Sequence, residues 1–337
     1  MLLGACVSCA GLDRLTARAT LTLVVAAEIA DIDVLYQLGG PVVGFQHHRG
    51  WTHSLLAIPL LGGLTLAVVW VIHHRLQRRA LRTMSCPSGL PVRWGWLYGY
   101  ACLGALTHLL LDYTTSYGIR LFEPFSFKWY AWDIVYKTEP YMWLVLGLGL
   151  AVPFISALAH RQRRRSRFDR CAAIIALMAI GVMWGFRDYQ RRCAVAQLKA
   201  YLYRGEKPLR VSAYAYPWNP FLWHGVVGTS NFFKTARVDT LHGMVDPQDQ
   251  AQIYHKSCET PVTMAAKNSA LGRIYLDWAS YPVTETDLTE AGDVAYCVRF
   301  YDLRSIHPIY AWVRLDKNLQ VRAQELGEPS SPCLKSL

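Results

Sequence analysis

Long apolar runs alternate with short polar segments along the first half of the chain. Four runs contain no charged residue, at positions 55–72, 94–111, 141–159 and 171–186. Each is close to the ~20 residues that a helix needs to cross a bilayer, although the last requires flanking side chains that reach the polar surface. A fifth, weaker run at 15–38 holds four charged residues, Arg18, Glu28, Asp31 and Asp33. The pattern predicts an α-helical integral membrane domain of four to five spans.

The second half of the chain has the composition of a soluble domain. An amphipathic pattern predicts a helix at 187–204, and a second helix is expected near 246–258. Segments in which apolar and polar residues alternate predict half-buried strands at 209–216, 272–278, 294–301, 309–315 and 319–324. We therefore expect a membrane domain over residues 1–186, followed by a small mainly-β soluble domain, with a helix or two, over residues 187–337.

Charge refines this interpretation. The chain is 53% hydrophobic and carries a net charge of +11, but its basic residues cluster beside the apolar runs, at 75–93 and 161–170. This is the positive-inside pattern of a membrane protein, so no nucleic-acid partner is expected. It predicts a multi-pass protein of the inner (cytoplasmic) membrane, with both clusters in the cytoplasm and the C-terminal domain outside. We expect no cleaved signal peptide, because the first residues lack a basic start and a clean apolar core.

The candidate chemistry lies in three polar groups within or beside these runs. Asp31 and Asp33 end the first run, the segment 47–54 reads His-His-Arg-Gly-Trp-Thr-His-Ser, and His108 and Asp112 lie inside a later run. Ionisable residues at membrane depth are costly and suggest a functional site. With the predicted orientation, all of these groups lie on the outer side of the membrane. Histidine and carboxylate together are typical ligands of zinc and related metals.

Simpler readings remain open for each group. His108 and Asp112 share a helix face, so they can hold one cation, or Asp112 can merely satisfy a buried histidine. Asp31 and Asp33 can be solvated acids at a helix end, and the segment with His48, Arg49 and His53 can be a cluster at the lipid headgroups. Glu139 is expected to be a spare carboxylate near the site. Thr52 and Ser54 are expected to be helix caps, and Trp51 is expected to be an anchor at the membrane interface.

Cysteine positions add one further expectation. Cys258, Cys297 and Cys333 would face an oxidising compartment, so one pair among them can form a disulfide, although their spacing does not identify it. Cys6 and Cys9 form a single C-x-x-C pair with no second pair, which favours two small residues near a helix end over a metal or redox site.

These motifs resemble the YdjM-type family of predicted membrane-bound metal-dependent hydrolases, also described as LexA-regulated inner-membrane proteins. The strings that carry the resemblance are Asp31-x-Asp33, His48-Arg49-Gly50-x-Thr52-His53-Ser54, His108-x-x-x-Asp112 through Gly118, Pro124-Phe125-Ser126 and Asn219 to Trp223. The resemblance covers about residues 1–225. It departs from the family where a Thr-His pair would precede the start at Met1, where Ala30 replaces a proline, and where Glu139-Pro140 replaces Asp-Pro.

The resemblance and the residues together predict a membrane-bound hydrolase with a divalent metal, zinc or manganese, at the outer membrane face. The expected metal ligands, or residues that support them, are Asp31, Asp33, His48, His53, His108 and Asp112. The expected catalytic residues are Arg49, which would hold an anionic group, Asp33 and Glu139. The site's position favours a lipid, phospholipid or other envelope ester as substrate. The alternative is a non-enzymatic membrane protein that transports or senses metal through a partner-binding outer domain.

Overall fold

The structure is a computed structural model that divides the chain into two compact units. It describes residues 1–82, 90–137, 139–159, 167–246, 251–288 and 294–327. The first unit comprises Met1–Asp33, Arg49–Trp132 and Lys137–Phe186, and the second comprises Val34–His48, Asp133–Tyr136 and Arg187–Leu337. Cys333 and the basic positions 161–166, which were part of the expectations above, lie outside the described residues.

The chain begins with a series of helices. They are α1 (Leu2–Cys9), α2 (Ala19–Ala26), α3 (Pro41–His47), α4 (Ala57–Arg82), α5 (Trp94–Thr114), α6 (Pro140–Ala159) and α7 (Arg167–Lys199). Short 3-10 segments at Leu12–Arg14, Ile29–Gly39 and Trp51–His53 connect the early helices. The helical character predicted for the first half of the chain is therefore confirmed.

Among the described residues, fewer helices qualify as membrane spans than the sequence predicts. Within the described residues, α4 over Ala57–Arg78 and α7 are long and apolar enough to cross a membrane, and α6 adds a shorter apolar stretch, Pro140–Ser156. The weak run at 15–38 does not form one helix, because α2 ends at Ala26 and a 3-10 segment follows. Four to five spans are not confirmed. The interruption falls where the run carries its acidic residues, which disfavour a continuous apolar helix.

Small residues allow the helices of the first unit to approach closely. A Cβ atom added at Gly104 of α5 would lie 2.5 Å from Cβ of Ala26, and one at Gly4 of α1 would lie 2.5 Å from the carbonyl oxygen of Leu23. Small residues at helix interfaces are the usual means of close packing in membrane proteins. As a result, α2 lies directly against α5, and this contact sets the position of the candidate site.

The outer surface of these helices is apolar. Leu148 of α6 and Val182 of α7, for example, have exposed fractions of 61% and 71%. A soluble protein would turn such rows of side chains inward, whereas a membrane protein turns them toward lipid.

The second unit contains two antiparallel sheets. One sheet contains β1 (Arg210–Ala215), β2 (Leu222–Gly228), β3 (Phe232–Asp239), β4 (Met244–Val245) and β5 (Gln252–His255), with β4 and β5 both paired to β3. The other contains β6 (Pro282–Leu288), β7 (Tyr296–Asp302), β8 (Tyr310–Leu315) and β9 (Val321–Gly327) in sequential order. Helices α8 (Pro261–Lys267) and α9 (Ala270–Trp278) lie between the two sheets in sequence.

This architecture confirms the C-terminal β-sheet region and corrects two predicted elements. The predicted strand at 272–278 is helix α9, because Leu271, Tyr275 and Trp278 are buried at helical spacing and Ser269 caps the N-terminus. The helix expected near 246–258 is also wrong, since β5 lies there and pairs with β3. The predicted strands at 209–216, 294–301, 309–315 and 319–324 correspond to β1, β7, β8 and β9.

The structure tests part of the expectation that two of the three C-terminal cysteines form a disulfide. Cys297 is disulfide-bonded, whereas Cys258 is a free and exposed cysteine. Cys6 and Cys9 are both buried in helix α1.

We predict that strand β2 tolerates no side chain at Gly225. An added Cβ would lie 2.7 Å from Cδ1 of Leu198, at the end of α7, and 3.0 Å from the carbonyl oxygen of Ala236. Gly225→Ala should therefore lower the free energy of unfolding by about 1–3 kcal/mol through overpacking. Thermal unfolding of the full-length protein in detergent, followed by tryptophan fluorescence, measures this.

Gly228→Ala is the matched control in the same strand, because its added Cβ would meet nothing closer than Phe233 at 3.4 Å. That control should change the stability by less than about 1 kcal/mol. Leu198→Ala should recover part of the loss caused by Gly225→Ala, since it removes the clashing side chain. Equal losses in the two glycine variants would contradict the packing argument.

Candidate metal centre

Four side chains of the first unit converge on one point. Asp31, His53, His108 and Asp112 each offer a ligand atom, and these atoms all lie within 4.8 Å of one another. Within the described residues, these four side chains form a group that could hold a metal ion. Three of the four are largely shielded from solvent, with exposed side-chain fractions of 0% for His53, 10% for His108 and 13% for Asp112, whereas Asp31 is 50% exposed.

Packing of the helices explains the convergence. His108 and Asp112 lie one turn apart on α5, near its C-terminal end. His53 ends the 3-10 turn that leads into α4, and α4 packs antiparallel to α5, so the start of one helix lies beside the end of the other. Asp31 comes from the 3-10 segment after α2, the helix that packs closely on α5.

The ligand atoms of the four side chains lie close enough to one another to share one metal ion. The Nε2 atoms of His53 and His108 lie 3.3 Å apart. Oδ2 of Asp112 lies 3.2 and 3.3 Å from these two nitrogens, and Oδ1 of Asp31 lies 3.5 and 3.4 Å from them. A tetrahedron with metal–ligand bonds of about 2.0–2.1 Å has edges of about 3.3–3.4 Å. Five of the six distances among the ligand atoms are therefore close to this value, and the remaining one, between the Asp31 and Asp112 ligand atoms, is at most 4.8 Å.

His108 is oriented by a backbone carbonyl. Its Nδ1 lies 2.7 Å from the carbonyl oxygen of Ala27, and because a carbonyl only accepts hydrogen bonds, Nδ1 must carry the proton. In the neutral ring, Nε2 then presents its lone pair to the other three ligand atoms. A hydrogen bond of this kind from the second ring nitrogen is the usual support of a metal-binding histidine.

His53 is supported on its Nδ1 side by two oxygens. Oγ1 of Thr52 lies 3.0 Å from Nδ1, and Oδ2 of Asp33 lies 3.6 Å from it. Asp33 is itself buried and accepts a hydrogen bond of 2.8 Å from the backbone N–H of Arg49. The structure thus places Asp33 behind His53, while Asp31 lies on the Nε2 side.

One atom of the group is left without a donor. Among the residues that the structure describes, none donates a hydrogen bond to the buried Oδ2 of Asp112. This buried oxygen faces two histidine nitrogens at 3.2–3.3 Å, and positive charge among these atoms, on the imidazole rings or on a bound cation, stabilises the carboxylate. A divalent cation among the four ligand atoms would supply such charge, because imidazole nitrogens and carboxylate oxygens are common metal ligands.

Arg49 contacts the group through an ion pair with Asp112. One terminal nitrogen lies 2.9 Å from Oδ1 of Asp112 and the other donates to Oγ1 of Thr115 at 3.0 Å. Its guanidinium also lies 5.0 Å from the centroid of the Tyr117 ring. The residue has a positive φ of 55°, a conformation that is uncommon for a non-glycine residue and often marks a functional site. Its predicted role in holding an anionic group stays a prediction.

Three other predicted site residues are not members of this group of four. His48 follows α3 and belongs to the second unit, where His47 stacks on Tyr36 with ring centroids 4.4 Å apart. Glu139 is buried at the start of α6, and its carbonyl accepts the backbone N–H of Met142 at 3.1 Å. The metal-binding role predicted for His48, the catalytic role predicted for Glu139 and both roles predicted for Asp33 stay predictions.

The second unit holds a polar cavity that the sequence did not reveal. It measures about 320 Å³, and its lining includes Tyr216, His224, Arg237, Tyr254 and Tyr310. Burial lowers the pKa of His224, although a hydrogen bond of 2.8 Å to the carbonyl oxygen of Leu303 acts in the opposite direction. The residues that line the cavity come from several strands of both sheets. No short motif in the sequence therefore indicates the cavity.

Comparison with known proteins places the chain in a family. The family of YdjM inner membrane proteins matches residues 1–190. The uncharacterized protein YfhP of Bacillus subtilis (strain 168) is 25% identical over 135 residues, which cover 40% of this chain and 36% of that protein. The matched stretch thus spans about a third of the relative's length. No solved structure matches the chain.

The family match includes all four residues of the candidate metal centre and the segments that orient them. Because it extends over more than half of the chain, this protein belongs to the family of YdjM inner membrane proteins.

Proposed function

We propose that this chain is a membrane-bound metal-dependent hydrolase that acts on a lipid, a phospholipid or another envelope ester. The observation that carries the proposal is the group of Asp31, His53, His108 and Asp112, whose ligand atoms all lie within 4.8 Å of one another. When bound there, zinc or manganese supplies Lewis acidity toward an ester and makes a water molecule more acidic.

The residues of the chain divide the remaining tasks. His53 and His108 hold their Nε2 atoms toward the group because Asp33 and the Ala27 carbonyl lie behind their Nδ1 atoms. Asp31, which is half exposed, gives the group its open side, where water and substrate can enter. Arg49 balances the charge of Asp112 and, from that position, holds an anionic group of the substrate. A phosphoester is favoured over an amide on the basis of Arg49 alone.

The proposal places the site at the outer membrane face and the C-terminal domain outside the cytoplasm. Its support is the distribution of charge along α4 and α5. The ligands lie where α4 starts and α5 ends, whereas Arg75, Arg78 and Arg93 lie near the opposite ends of these helices. Basic residues favour the cytoplasmic side, which leaves the ligand end outside.

A second candidate function is metal transport or metal sensing without catalysis, with the outer domain as a module that binds a partner. It is favoured by the number of ligands, because four protein ligands can complete a tetrahedral shell and structural zinc sites are closed in this way. Hydrolysis requires a position for water, which here depends on expansion of the coordination shell or on movement of Asp31.

We expect purified wild-type protein to contain about one equivalent of metal and both His53→Ala and Asp112→Ala to contain almost none, because each variant removes one of four ligands. Mass spectrometry of metal content in detergent-purified protein tests this. His47→Ala is the matched control, since His47 stacks on Tyr36 in the second unit, and it should keep the metal. Folded wild-type protein that binds neither zinc nor manganese after reconstitution would overturn the metal centre.

Asp33→Asn distinguishes an orienting residue from a ligand. If Asp33 supports His53 from behind, the variant should still bind metal, with an affinity about 10–100-fold lower. Competition with a chelating dye measures the affinity, and Asp277→Asn on α9 of the second unit serves as the control for a lost carboxylate. If Asp33→Asn loses metal as completely as His53→Ala, Asp33 is itself a ligand.

A measurement of catalytic turnover distinguishes the hydrolase from a protein that transports or senses metal. We expect the metal-loaded protein to hydrolyse a phosphodiester probe, to lose this activity with a chelator and to regain it with zinc or manganese. His53→Ala should be inactive even in excess metal, whereas His47→Ala should be active. Stoichiometric metal without turnover on phosphoester, carboxylic ester and amide probes would favour the transport or sensing function instead.

A further inference from the structure

A hairpin of the first unit displays unusually exposed aromatic side chains. This aromatic hairpin, residues 119–130, is closed by two backbone hydrogen bonds of 2.9 Å between Ile119 and Tyr130. Phe122, Phe125 and Phe127 have exposed fractions of 44%, 85% and 55%. Three phenylalanines in six positions that are this exposed indicate an interaction surface and not a packed loop.

The hairpin combines these rings with cationic side chains. The guanidinium of Arg120 lies 4.7 Å from the ring centroid of Trp129, and the ammonium of Lys128 lies 5.5 Å from that of Tyr130. Glu123 is the one acidic residue of the hairpin and lies 4.0 Å from Arg120, so the hairpin carries a net positive charge. Aromatic rings beside lysine and arginine are typical of the membrane–water interface.

The hairpin is attached directly to the metal centre. The backbone N–H of Arg120 donates to the carbonyl of Arg49 at 3.1 Å, and that of Leu55 donates to the carbonyl of Leu121 at 3.0 Å. These two bonds lie on either side of His53, which is a member of the metal group. The position of the hairpin and the position of this ligand are therefore fixed by the same short piece of backbone.

We infer that the aromatic hairpin enters the interface of the bilayer and that the exposed Lys128 binds the headgroup of an anionic phospholipid beside the metal centre. Arg120, whose side chain is 13% exposed, adds its positive charge from behind the rings. The charge of the hairpin complements an anionic headgroup, and its phenylalanines complement the acyl region below it. The apolar outer surfaces of the helices in the same unit, together with the inner membrane family, indicate that this unit lies in a bilayer. The inference rests on the proposed function for the reaction, and it narrows the substrate to a membrane phospholipid.

Photocrosslinking tests the inference. Phe125 is replaced by p-benzoylphenylalanine, and the protein is placed in nanodiscs with equal amounts of phosphatidylglycerol and phosphatidylcholine. After irradiation, mass spectrometry identifies the adducts. The matched control carries the same photoreactive residue at Leu288, which is 80% exposed on strand β6. We expect several-fold more lipid adduct at position 125 than at 288, enriched in phosphatidylglycerol.

The double substitution Arg120→Gln and Lys128→Gln separates the headgroup from the acyl region. Lipid adducts at position 125 should persist in this variant, but the enrichment in phosphatidylglycerol should fall to the proportion present in the nanodisc. Lipid adducts at 125 that do not exceed those at 288, or an adduct with protein instead of lipid, would overturn the inference. An enrichment that survives the double substitution would overturn the role of the two cations.

The same experiment in His53→Ala keeps this inference separate from the proposed function, because adduct formation requires neither metal nor turnover. Lipid adducts at 125 without any hydrolytic activity in the wild type would leave the interfacial hairpin standing and remove the hydrolase. Hydrolysis of a soluble phosphodiester without lipid adducts at 125 would support the hydrolase and remove the interfacial hairpin.

Discussion

The close contact between α2 and α5 is the constraint on which the candidate metal centre depends. Gly104 has no side chain at the point where Ala26 approaches, and the carbonyl of Ala27 can therefore reach Nδ1 of His108 one turn further along α5. That hydrogen bond determines which ring nitrogen carries the proton and which faces the other ligands. A larger residue at position 104 would separate the helices and release the ring, so a packing feature of the helix interface controls the chemistry of the site.

Electrostatics then explain why the group favours a cation. Two histidine nitrogens and two carboxylate oxygens that face one another within 4.8 Å bring lone pairs and negative charge together in a mostly buried place, which is unfavourable without a positive charge. Arg49 compensates Asp112 from one side, but Asp31 has no such arginine in the described ion pairs. The arrangement is stabilised by positive charge at its centre, which a divalent metal would supply, and this is the physical basis of the proposed function.

The sequence predicted those parts of the site that depend on local spacing. His108 and Asp112 are four residues apart in an apolar helical run, so their shared helix face could be foreseen. Asp31 and Asp33 could not be distinguished, because the 3-10 segment that points them to opposite sides of His53 is not encoded in the alternation of residues. The same limit affected 272–278, where Leu271, Tyr275 and Trp278 follow a helical spacing that the alternation of smaller and polar residues concealed. The weaker run at 15–38 is not one continuous helix, because hydropathy alone does not register where a helix ends.

The chain leaves the first unit between Asp33 and Arg49 and returns to it without disturbing the metal group. The excursion, Val34–His48, belongs to the second unit, where Phe45 stacks on Tyr275 at 5.9 Å and meets the edge of Trp278 at 5.3 Å. Its two ends are joined by the hydrogen bond of 2.8 Å from the backbone N–H of Arg49 to Oδ2 of Asp33. Since Asp33 also lies behind His53, one carboxylate closes the excursion and orients a ligand at the same time. The geometry of the group is thus maintained by contacts within the first unit, although the chain passes through the second unit between Asp33 and Arg49.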